Sequence, residues 1–389
     1  MTTLTQTNVR LYASPKNWIE GEALSQLQAN ARLTGVRSAI GYPDLHPGKG
    51  VPVGAAFVTD GVIYPHFIGG DIGCGMAFFA TDLLRRKAKL DRWSEAHFNL
   101  EHPWEGQSRD RLALEELCST QFTESFGTLG GGNHFAELQA VEKVFNQEAF
   151  AALGLATDEL ALLVHSGSRA LGQSVFISHL AENGVSAVDA SSDAASRYLF
   201  GHDHAMRWAK ANRALIAERF LGVLGATGRR VLDACHNSIA CRSIEGETVW
   251  LHRKGAAAAD RGAVLIPGSR GTLSYLVQPQ APSLASGWSI AHGAGRKWNR
   301  NESRARARAR FRHAELVRTG LGGRVICENR ELLYEESPLA YKNIELVVQD
   351  LVDASLLTVI ATLRPLLTYK TRRGRNVGKR PRPGTNAAS

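Results

Sequence analysis

Short runs of apolar residues alternate with glycine- and proline-rich breaks along most of the chain. Runs rich in Val, Ile, Leu, Trp and Tyr between such breaks predict β-strands. Several of these runs lead directly into residues with chemically useful side chains, such as Cys235 and His236. The predicted strands cover residues 160–164, 230–234, 248–252, 263–266 and 274–277.

Two longer segments have apolar residues at helical spacing instead. Residues from about 195 to 223 and from 344 to 356 each place apolar side chains on one face of a helix. Strands come first, one helix lies between them, and more strands and a late helix follow. This order predicts an α+β fold rather than a regular βαβ repeat.

No Pro/Ser-rich linker divides the chain, and no internal repeat stands out. We therefore predict a single domain over residues 1–370 of the 389, followed by a disordered basic tail over residues 371–389. The net charge of +9 supports this division, because residues 370–389 hold seven cations and no acid and leave only +2 for the rest. A polycationic end suits RNA or a ribosome, or serves only to keep the chain soluble.

The composition excludes several classes of protein. No apolar run approaches the roughly 20 residues that span a bilayer, and the N-terminus has no basic cluster before an apolar core. Five cysteines, an odd number, argue against a disulfide scaffold. The sequence thus predicts a cytoplasmic protein without a membrane partner.

The motif GGDIGCGM places Asp71 and Cys74 among four glycines. Glycines leave room for close approach, and the short spacing aims a carboxylate and a thiolate at one point. These two groups repel unless a cation lies between them. The alternative is a buried structural cysteine in a glycine turn.

Three histidines lie at the ends of strands or in glycine-rich turns: His134 in GGGNHFAE, His165 in LLVHSGSR and His236 in DACHNSI. One such histidine is more often a hydrogen-bonded core residue than a ligand. Three of them with Asp71 and Cys74 suffice for one or two metal ions with open coordination positions, which favours catalysis. Softness alone favours zinc.

Four glycine- or serine-rich turns, GTLGGGNH, HSGSR, IPGSRGTLSY and AHGAGR, are typical of backbone anion sites. Arg169 and Arg296 each follow a histidine by four residues, and guanidinium groups suit phosphate recognition. Neither the P-loop pattern nor a helix-opening G-x-G-x-x-G is present. His292 in HGAGR is a candidate nucleophile toward phosphorus, a further metal ligand or a general acid.

Other tempting residues carry less weight. His202 and His204 would face different sides of a helix, which argues against a shared metal site. His252 is ambiguous. The arginines of RARARARFR, residues 304–312, would share one face of a strand or divide between two sides of a helix; solvation or contact with an RNA backbone would explain them.

In this order the motifs GGDIGCG, GGGNHFAE, HSGSR, CHN, RKGA, PGS-x-G, HGAGR and SPLAYK resemble the RtcB family of RNA ligases. The resemblance covers the chain from about residue 41 to residue 370. It implies a single α+β domain with central sheets and surrounding helices. It also implies a GTP- and manganese-dependent enzyme that joins RNA 3′-phosphate or 2′,3′-cyclic phosphate ends to 5′-hydroxyl ends.

The resemblance assigns roles to particular residues. One manganese ion would be held by Asp71, Cys74 and His134, and a second by Cys74, His165 and His236. The catalytic residues would be His292, which becomes guanylylated, with Arg169, Arg296 and Lys254. The implied nucleotide-binding residues are Asn133, His134, Phe135, Ala136, Glu137, His236, Asn237, Pro267, Gly268, Ser269, Arg270, Ser274, His292, Gly293, Ala294, Gly295, Tyr341 and Lys370.

Some features depart from typical members of the family. A basic tail follows Lys370, Arg270 stands where many members have methionine, the opening motif reads GYPDLHPGKG, and the stretch 133–165 is long. These features resemble the branch associated with release factor H and with repair of ribosomal RNA, so that factor or the ribosome is an expected partner. Two alternative hypotheses are a 3′-phosphate guanylyl-capping enzyme and a non-catalytic RNA- or ribosome-binding factor.

Overall fold

The structure is a computed structural model that describes residues 8–372, so nearly all of the predicted tail 371–389 lies outside the described residues. Seventeen strands occur within this range: β1 (Val9–Leu11), β2 (Val36–His46), β3 (Val53–Asp60), β4 (Val62–Ile63), β5 (Gly75–Leu84), β6 (Phe135–Val144), β7 (Glu159–Ser166), β8 (Val188–Asp189), β9 (Gly228–Cys235), β10 (Asn237–Ile244), β11 (Glu247–Lys254), β12 (Ala256–Ala258), β13 (Val264–Ile266), β14 (Ser274–Pro279), β15 (Ser289–Ala291), β16 (Arg324–Cys327) and β17 (Leu357–Thr371). The α-helices of the same range are α1 (Gly21–Ala31), α2 (Pro65–Ile68), α3 (Leu90–Glu95), α4 (Ser108–Leu114), α5 (Gln147–Ala152), α6 (Ala170–Asn183), α7 (Asp193–Val223), α8 (Arg300–Arg310), α9 (His313–Val317), α10 (Arg330–Glu335) and α11 (Ile344–Asp353).

The mixture of helices and strands confirms the α+β class. Each predicted strand corresponds to an observed one (β7, β9, β11, β13 and β14), and the helix predicted over 195–223 is α7. The second predicted helix, α11, ends at Asp353 rather than near residue 356, because Ser355 adopts a φ of 57° and β17 begins at Leu357. Helix α8 contains most of the arginine run and has no continuous apolar face, so periodicity did not reveal it.

The described residues form four sheets, of which two are large and two, β12-β15 and β4-β8, have two strands each. A five-stranded sheet has the order β1-β2-β3-β11-β10. An eight-stranded sheet has the order β13-β14-β17-β6-β7-β5-β9, and β16 pairs with β17. The chain passes between the sheets at His236, which separates β9 from β10, so residues near this point lie where the two sheets meet.

The 31-residue helix α7 covers one face of the eight-stranded sheet. Its Ser192 N-cap side chain accepts a hydrogen bond from the Ala195 N–H, which satisfies one of the free amides of the first turn. Ile216 and Phe220 pack in one buried cluster with Leu138 and Leu162 of the sheet. This apolar face fixes the helix on the sheet and explains its regular pattern in the sequence.

Helix α11 buries its apolar face in a separate cluster beside the five-stranded sheet. Val347 and Leu351 pack there with Val58 and Leu251. None of the helices within residues 8–372 combines the length and apolar character needed to cross a bilayer.

Candidate active site

The pairing of four neighbouring strands brings distant motifs together. Strands β6, β7, β5 and β9 lie side by side and are antiparallel. The beginnings of β5 and β6 therefore lie beside the ends of β7 and β9. Cys74 precedes β5, His134 precedes β6, His165 lies near the end of β7, and His236 follows β9, so all four meet at one edge of the sheet.

Two groups of potential ligands form at this edge. The ligand atoms of Cys74, His165 and His236 lie within 4.8 Å of one another, and so do those of Asp71, Cys74 and His134. The Cys74 Sγ lies 3.2 Å from the His165 Nε2 and 3.5 Å from the His134 Nε2. Cys74 belongs to both groups, which is the arrangement needed for a thiolate that bridges two ions.

Hydrogen bonds from the second ring nitrogen orient two of the histidines. The His134 Nδ1 lies 3.0 Å from the Leu129 carbonyl, and the His165 Nδ1 lies 3.3 Å from the Asn133 carbonyl. An Nδ1–H that donates to a carbonyl leaves the Nε2 lone pair free to bind a metal. Burial lowers the pKa of both imidazoles, so they are neutral, as ligands must be.

The cysteine has an environment that calls for a cation. Burial raises the pKa of the Cys74 thiol well above its ordinary value, and the nearby Asp71 carboxylate raises it further, while Arg213 opposes the shift. Without a positive charge between them the thiol stays protonated. The donor set of thiolate, imidazole and carboxylate therefore fits divalent transition-metal ions.

Arg213, which the sequence analysis missed, supports the edge of the sheet from α7. Its Nη1 donates to the Gly73 carbonyl at 2.7 Å and to the Ser166 carbonyl at 2.8 Å. Its guanidinium also pairs with Asp233, and the arginine is fully buried. A charged residue on the apolar face of a long helix was the signal in the sequence, because a buried charge needs such partners.

The amide of Asn237 ties the Asp71 loop to the neighbouring sheet. Its Oδ1 accepts the Gly255 N–H at 2.7 Å, and its Nδ2 donates to the Asp71 carbonyl at 3.2 Å. Asn237, which was expected to bind the nucleotide, thus holds the backbone at the potential metal ligand Asp71.

His292 lies beside the ligand groups and has a carboxylate partner. Its Nδ1 lies 2.7 Å from the Asp44 Oδ2, which also accepts the His292 backbone N–H at 3.2 Å. Asp44 is fully buried, and Lys342 holds the carbonyls of residues 43 and 45 on either side of it. The His292 and His236 ring centroids are 4.6 Å apart. Because Nδ1–H donates to Asp44, the Nε2 lone pair is free.

Two glycines allow the backbone to come this close. A Cβ at Gly255, whose φ is +59°, would lie 2.9 Å from the His292 Cε1. A Cβ at Gly295, whose φ is +71°, would lie 2.3 Å from the Asp44 carbonyl oxygen. Both positions therefore require glycine for conformation and for space.

A cavity of about 1080 Å³ opens in front of His292. This volume is at the upper end of the range for small-molecule sites, about 300–1,000 Å³. The residues predicted from sequence that line it are Asp71, Asn133, Phe135, Glu137, His165, His236, Asn237, Lys254, Pro267, Gly268, Ser269, Arg270, His292, Gly293, Ala294, Gly295, Arg296, Tyr341 and Lys370. The predicted residues outside this lining are Cys74, His134, Ala136, Arg169 and Ser274.

Glu137 forms a buried acceptor in the cavity wall. The Gln139 Nε2 donates to its Oε1 at 2.6 Å, and the Thr368 hydroxyl donates to its Oε2. Gln139 also donates to the Ser274 hydroxyl at 2.9 Å, which places Ser274 behind the wall. Burial raises the pKa of Glu137 to about 6, although both hydrogen bonds oppose the shift.

A second buried carboxylate, Glu336, contacts several predicted site residues. The sequence motifs did not indicate this role. The Arg296 Nη1 lies 2.8 Å from its Oε1, the Tyr341 hydroxyl donates to its Oε2, and the Lys370 Nζ lies 4.0 Å from the same atom. Arg296 also donates to the Trp298 carbonyl. Its guanidinium is thus committed to neighbouring protein groups, and its predicted role toward phosphate stays a prediction.

The remaining predicted cations also have defined positions. Arg169 is the residue before α6 and has a φ of +59°. Burial lowers the pKa of its guanidinium, and the charges of Asp71 and Cys74 oppose this shift. The Lys254 Nζ lies 3.4 Å from the Ile68 carbonyl, and burial lowers its pKa to about 8. Arg270 donates to the Leu333 carbonyl at 2.7 Å.

The histidines given little weight have structural partners. The His202 Nε2 accepts the Ile239 N–H at 3.0 Å, and the His252 Nε2 accepts the Tyr64 N–H at 2.9 Å. Neither these two nor His204 belongs to a potential ligand group within residues 8–372.

Sequence comparison identifies the family. The model of the family described as tRNA-splicing ligase RtcB matches residues 26–102 and 96–371. The chain belongs to the RtcB family. This membership confirms the resemblance that the motifs indicated and makes the chain a member of a family of RNA ligases.

Relatives within the RtcB family cover nearly the whole chain. RNA-splicing ligase RtcB2 of Escherichia coli is 45% identical over 363 residues, which is 93% of this chain and 96% of the relative. The tRNA-splicing ligase RtcB of Thermococcus kodakarensis is 30% identical over 439 residues, with 89% and 90% covered. RNA-splicing ligase RtcB of Mycobacterium bovis is 28% identical over 421 residues, with 85% and 96% covered.

Proposed function

We propose that this RtcB-family protein is a GTP- and manganese-dependent RNA ligase that acts through a guanylylated His292. It would join RNA 3′-phosphate or 2′,3′-cyclic phosphate ends to 5′-hydroxyl ends. The observation that carries the proposal is the pairing of His292 with buried Asp44, at 2.7 Å, in the wall of a large cavity beside a potential metal site.

The residues present fit a pair of divalent ions. Asp71, Cys74 and His134 would hold one, and Cys74, His165 and His236 the other. The family resemblance, rather than the donor set, favours manganese. When bound, such ions would offset negative charge on phosphate oxygens.

His292 is arranged to act as a nucleophile. Asp44 holds the proton on Nδ1, so the Nε2 lone pair can attack the α-phosphorus of GTP. An Nε2–P bond forms, the bond to the β-phosphate oxygen breaks, and pyrophosphate leaves. The Asp44 carboxylate compensates the positive charge that develops on the imidazole.

Two transfers would follow. An oxygen of the RNA 3′-phosphate attacks the same phosphorus, the Nε2–P bond breaks, and the neutral imidazole is restored. The RNA 5′-hydroxyl then attacks the activated 3′-phosphate, loses its proton and releases GMP. Lys254 lines the cavity, and Arg169 lies outside this lining but near Asp71; both would contribute positive charge near Asp71. A cyclic phosphate would first be opened by water.

Other residues that line the cavity would recognise guanine. The ionised Glu137 carboxylate can accept hydrogen bonds from two guanine N–H groups, a pattern that adenine does not offer. Tyr341 would pack beside the base, and Lys370 would contact the nucleotide. Both belong to the Glu336 cluster, which holds their polar ends in place.

Incubation with GTP labelled at the α-phosphate and with manganese tests the proposal. We expect an acid-labile label on the protein, then on RNA 3′ ends, and finally a joined RNA. Label on RNA ends without joining would favour the capping enzyme. Absence of any protein-bound label would favour the non-catalytic binding factor and overturn the proposal.

Replacing Asp44 with asparagine should slow guanylylation by roughly a hundredfold while changing the KM for GTP little. Asparagine retains the size of the side chain but neither holds the Nδ1 proton reliably nor balances the charge on the imidazole. Single-turnover label transfer measures the rate, and unchanged metal content and melting temperature exclude a general defect. A hundredfold rise in the KM for GTP with an unchanged rate of guanylylation would contradict this role.

Affinity for GTP should fall below pH 6. The pKa of Glu137 is raised to about 6, so its carboxylate is ionised above this pH and protonated below it. Protonation removes an acceptor for the base, so the dissociation constant should rise by about tenfold per pH unit below this value. Titration of wild type and Glu137→Gln with GTP provides the measurement, and an identical pH dependence in the variant would contradict the assignment.

The same departures that resemble the branch associated with release factor H favour RNA repair, including ribosomal RNA, over tRNA splicing. We propose a cytoplasmic enzyme that works with this factor or with the ribosome. Ligation of nicked ribosomal RNA should therefore be faster than ligation of cleaved tRNA. The reverse order of rates would contradict the repair function.

A further inference from the structure

A surface next to the cavity combines an exposed indole and a partly buried one with cations. Trp18, between β1 and α1, is 46% exposed, although tryptophan is usually buried. Its ring centroid lies 5.9 Å from that of Trp298, and the planes are inclined by 43°. We call Trp18, Lys297, Trp298 and Arg306 the aromatic–basic platform.

Two exposed cations lie against the second indole. The Arg306 guanidinium carbon is 4.0 Å from the centre of the Trp298 ring, and the Lys297 Nζ is 5.3 Å from it. Arg306 also pairs with Glu302 at 2.9 Å, one turn earlier in α8. These contacts hold Trp298 in place as support for Trp18, which keeps nearly half its surface open.

The platform adjoins the cavity along the chain. Arg296 and Arg300, which flank Lys297 and Trp298, both line the cavity. An RNA strand that leaves the cavity at this side would contact the platform next. Arg300 pairs with Glu335 but keeps 61% of its side chain exposed.

The positive charge of residues 296–312 favours RNA as the ligand of the platform. Residues 296–312 contain eight Lys and Arg residues and a single acid, Glu302. Glu331 compensates part of the charge through Arg304 and Arg308. Cations suit phosphates, and an exposed indole suits an unpaired base, because every base has a π-face. An acidic protein partner would use the charges but would not need an open indole.

We infer that the aromatic–basic platform binds the single-stranded RNA segment next to the end held in the cavity, with a base stacked on Trp18 and phosphates on Lys297 and Arg306. This inference rests on the proposed function in that it takes RNA ends as the substrate. It assigns to part of the arginine-rich helix α8 a role that the ligation chemistry does not use.

The test measures binding rather than ligation. A labelled single-stranded 12-nucleotide RNA with hydroxyl groups at both ends, which cannot be joined, is titrated with wild type and variants at several salt concentrations. Trp18→Ala should weaken binding by about tenfold without changing the salt dependence. Arg306→Ala should reduce the slope of log affinity against log salt by about one. Trp18→Phe, which keeps an aromatic face, should retain most of the affinity.

Phe200→Ala is the matched control, since Phe200 is 79% exposed on α7 and outside the platform. It should bind the RNA like wild type, and blunt duplex RNA should bind equally to wild type and Trp18→Ala. Wild-type affinity in Trp18→Ala, or an equal loss for duplex RNA, would overturn the inference. Guanylylation by GTP without RNA, measured in parallel, should not change in Trp18→Ala. Its absence in wild type would refute the proposed function and leave the binding result to decide this inference.

Discussion

The His292→Ala protein is expected to form no detectable guanylate and to join no RNA, a loss of at least about a thousandfold. No other imidazole in the described residues combines a free nitrogen in the cavity with a buried carboxylate at hydrogen-bond distance, as His292 does with Asp44. Labelled GTP followed by denaturing electrophoresis measures the covalent product. The metal content should stay close to that of wild type, because the two potential ligand groups do not include His292.

His204→Ala provides the control for this experiment. It removes a histidine from α7 that belongs to neither ligand group, so guanylylation should be retained. Loss of metal in His292→Ala would instead make His292 a ligand, which was one of the alternatives open from sequence. If His292→Ala still formed the guanylate, another residue would have to be the nucleophile, and the mechanism would be refuted.

The Cys74→Ala protein is expected to lose both manganese ions, whereas wild type should bind two per chain. The Cys74 Sγ belongs to both potential ligand groups, so its removal would leave each proposed ion with two protein ligands. We expect the affinity for each ion to fall by more than about a hundredfold, since even partners outside the ligand set are worth 10- to 100-fold. Elemental analysis after dialysis against manganese measures the loss.

Two further comparisons make this result specific. Cys118→Ala removes an exposed cysteine away from both groups and should keep both ions. His134→Ala and His236→Ala should each lose one ion, because each histidine belongs to one group only. Full occupancy in Cys74→Ala would show that the thiolate does not bridge the ions.

The local sequence predicted much of the secondary structure, and its motifs indicated candidate residues for the site. Helix α7 has a clear apolar face, and β7 and β9 are short apolar runs bordered by turn residues, so local rules suffice for them. Glycine-rich turns around Cys74 and His134 indicated close approach of a ligand. Helix α8 was not predicted, because it is stabilised by packing against α10 and by ion pairs with Glu331 rather than by an apolar stripe.

The partners of the site residues could not be predicted in this way. Asp44 and His292 are separated by 248 positions and meet only because the loop after β15 lies against β2. The role of Arg213 likewise depends on the packing of α7 against the start of β5 and the end of β7. Arg296 was expected to face phosphate, but Glu336 reaches its guanidinium from 40 positions away.

The sequence by itself determined which side chains are candidate metal ligands, because ligand chemistry depends on residue type and on motifs within a few positions. The choice of His292 as nucleophile and of Glu137 as base reader came from the resemblance to the RtcB family and stays a prediction. Only the tertiary structure decided that Asp44 holds the Nδ1 of His292 and that Arg213 supports the backbone beside Cys74. Such contacts depend on the register of antiparallel strands and on the way the two sheets meet. Both are set by packing between residues far apart in the chain, which no local pattern encodes.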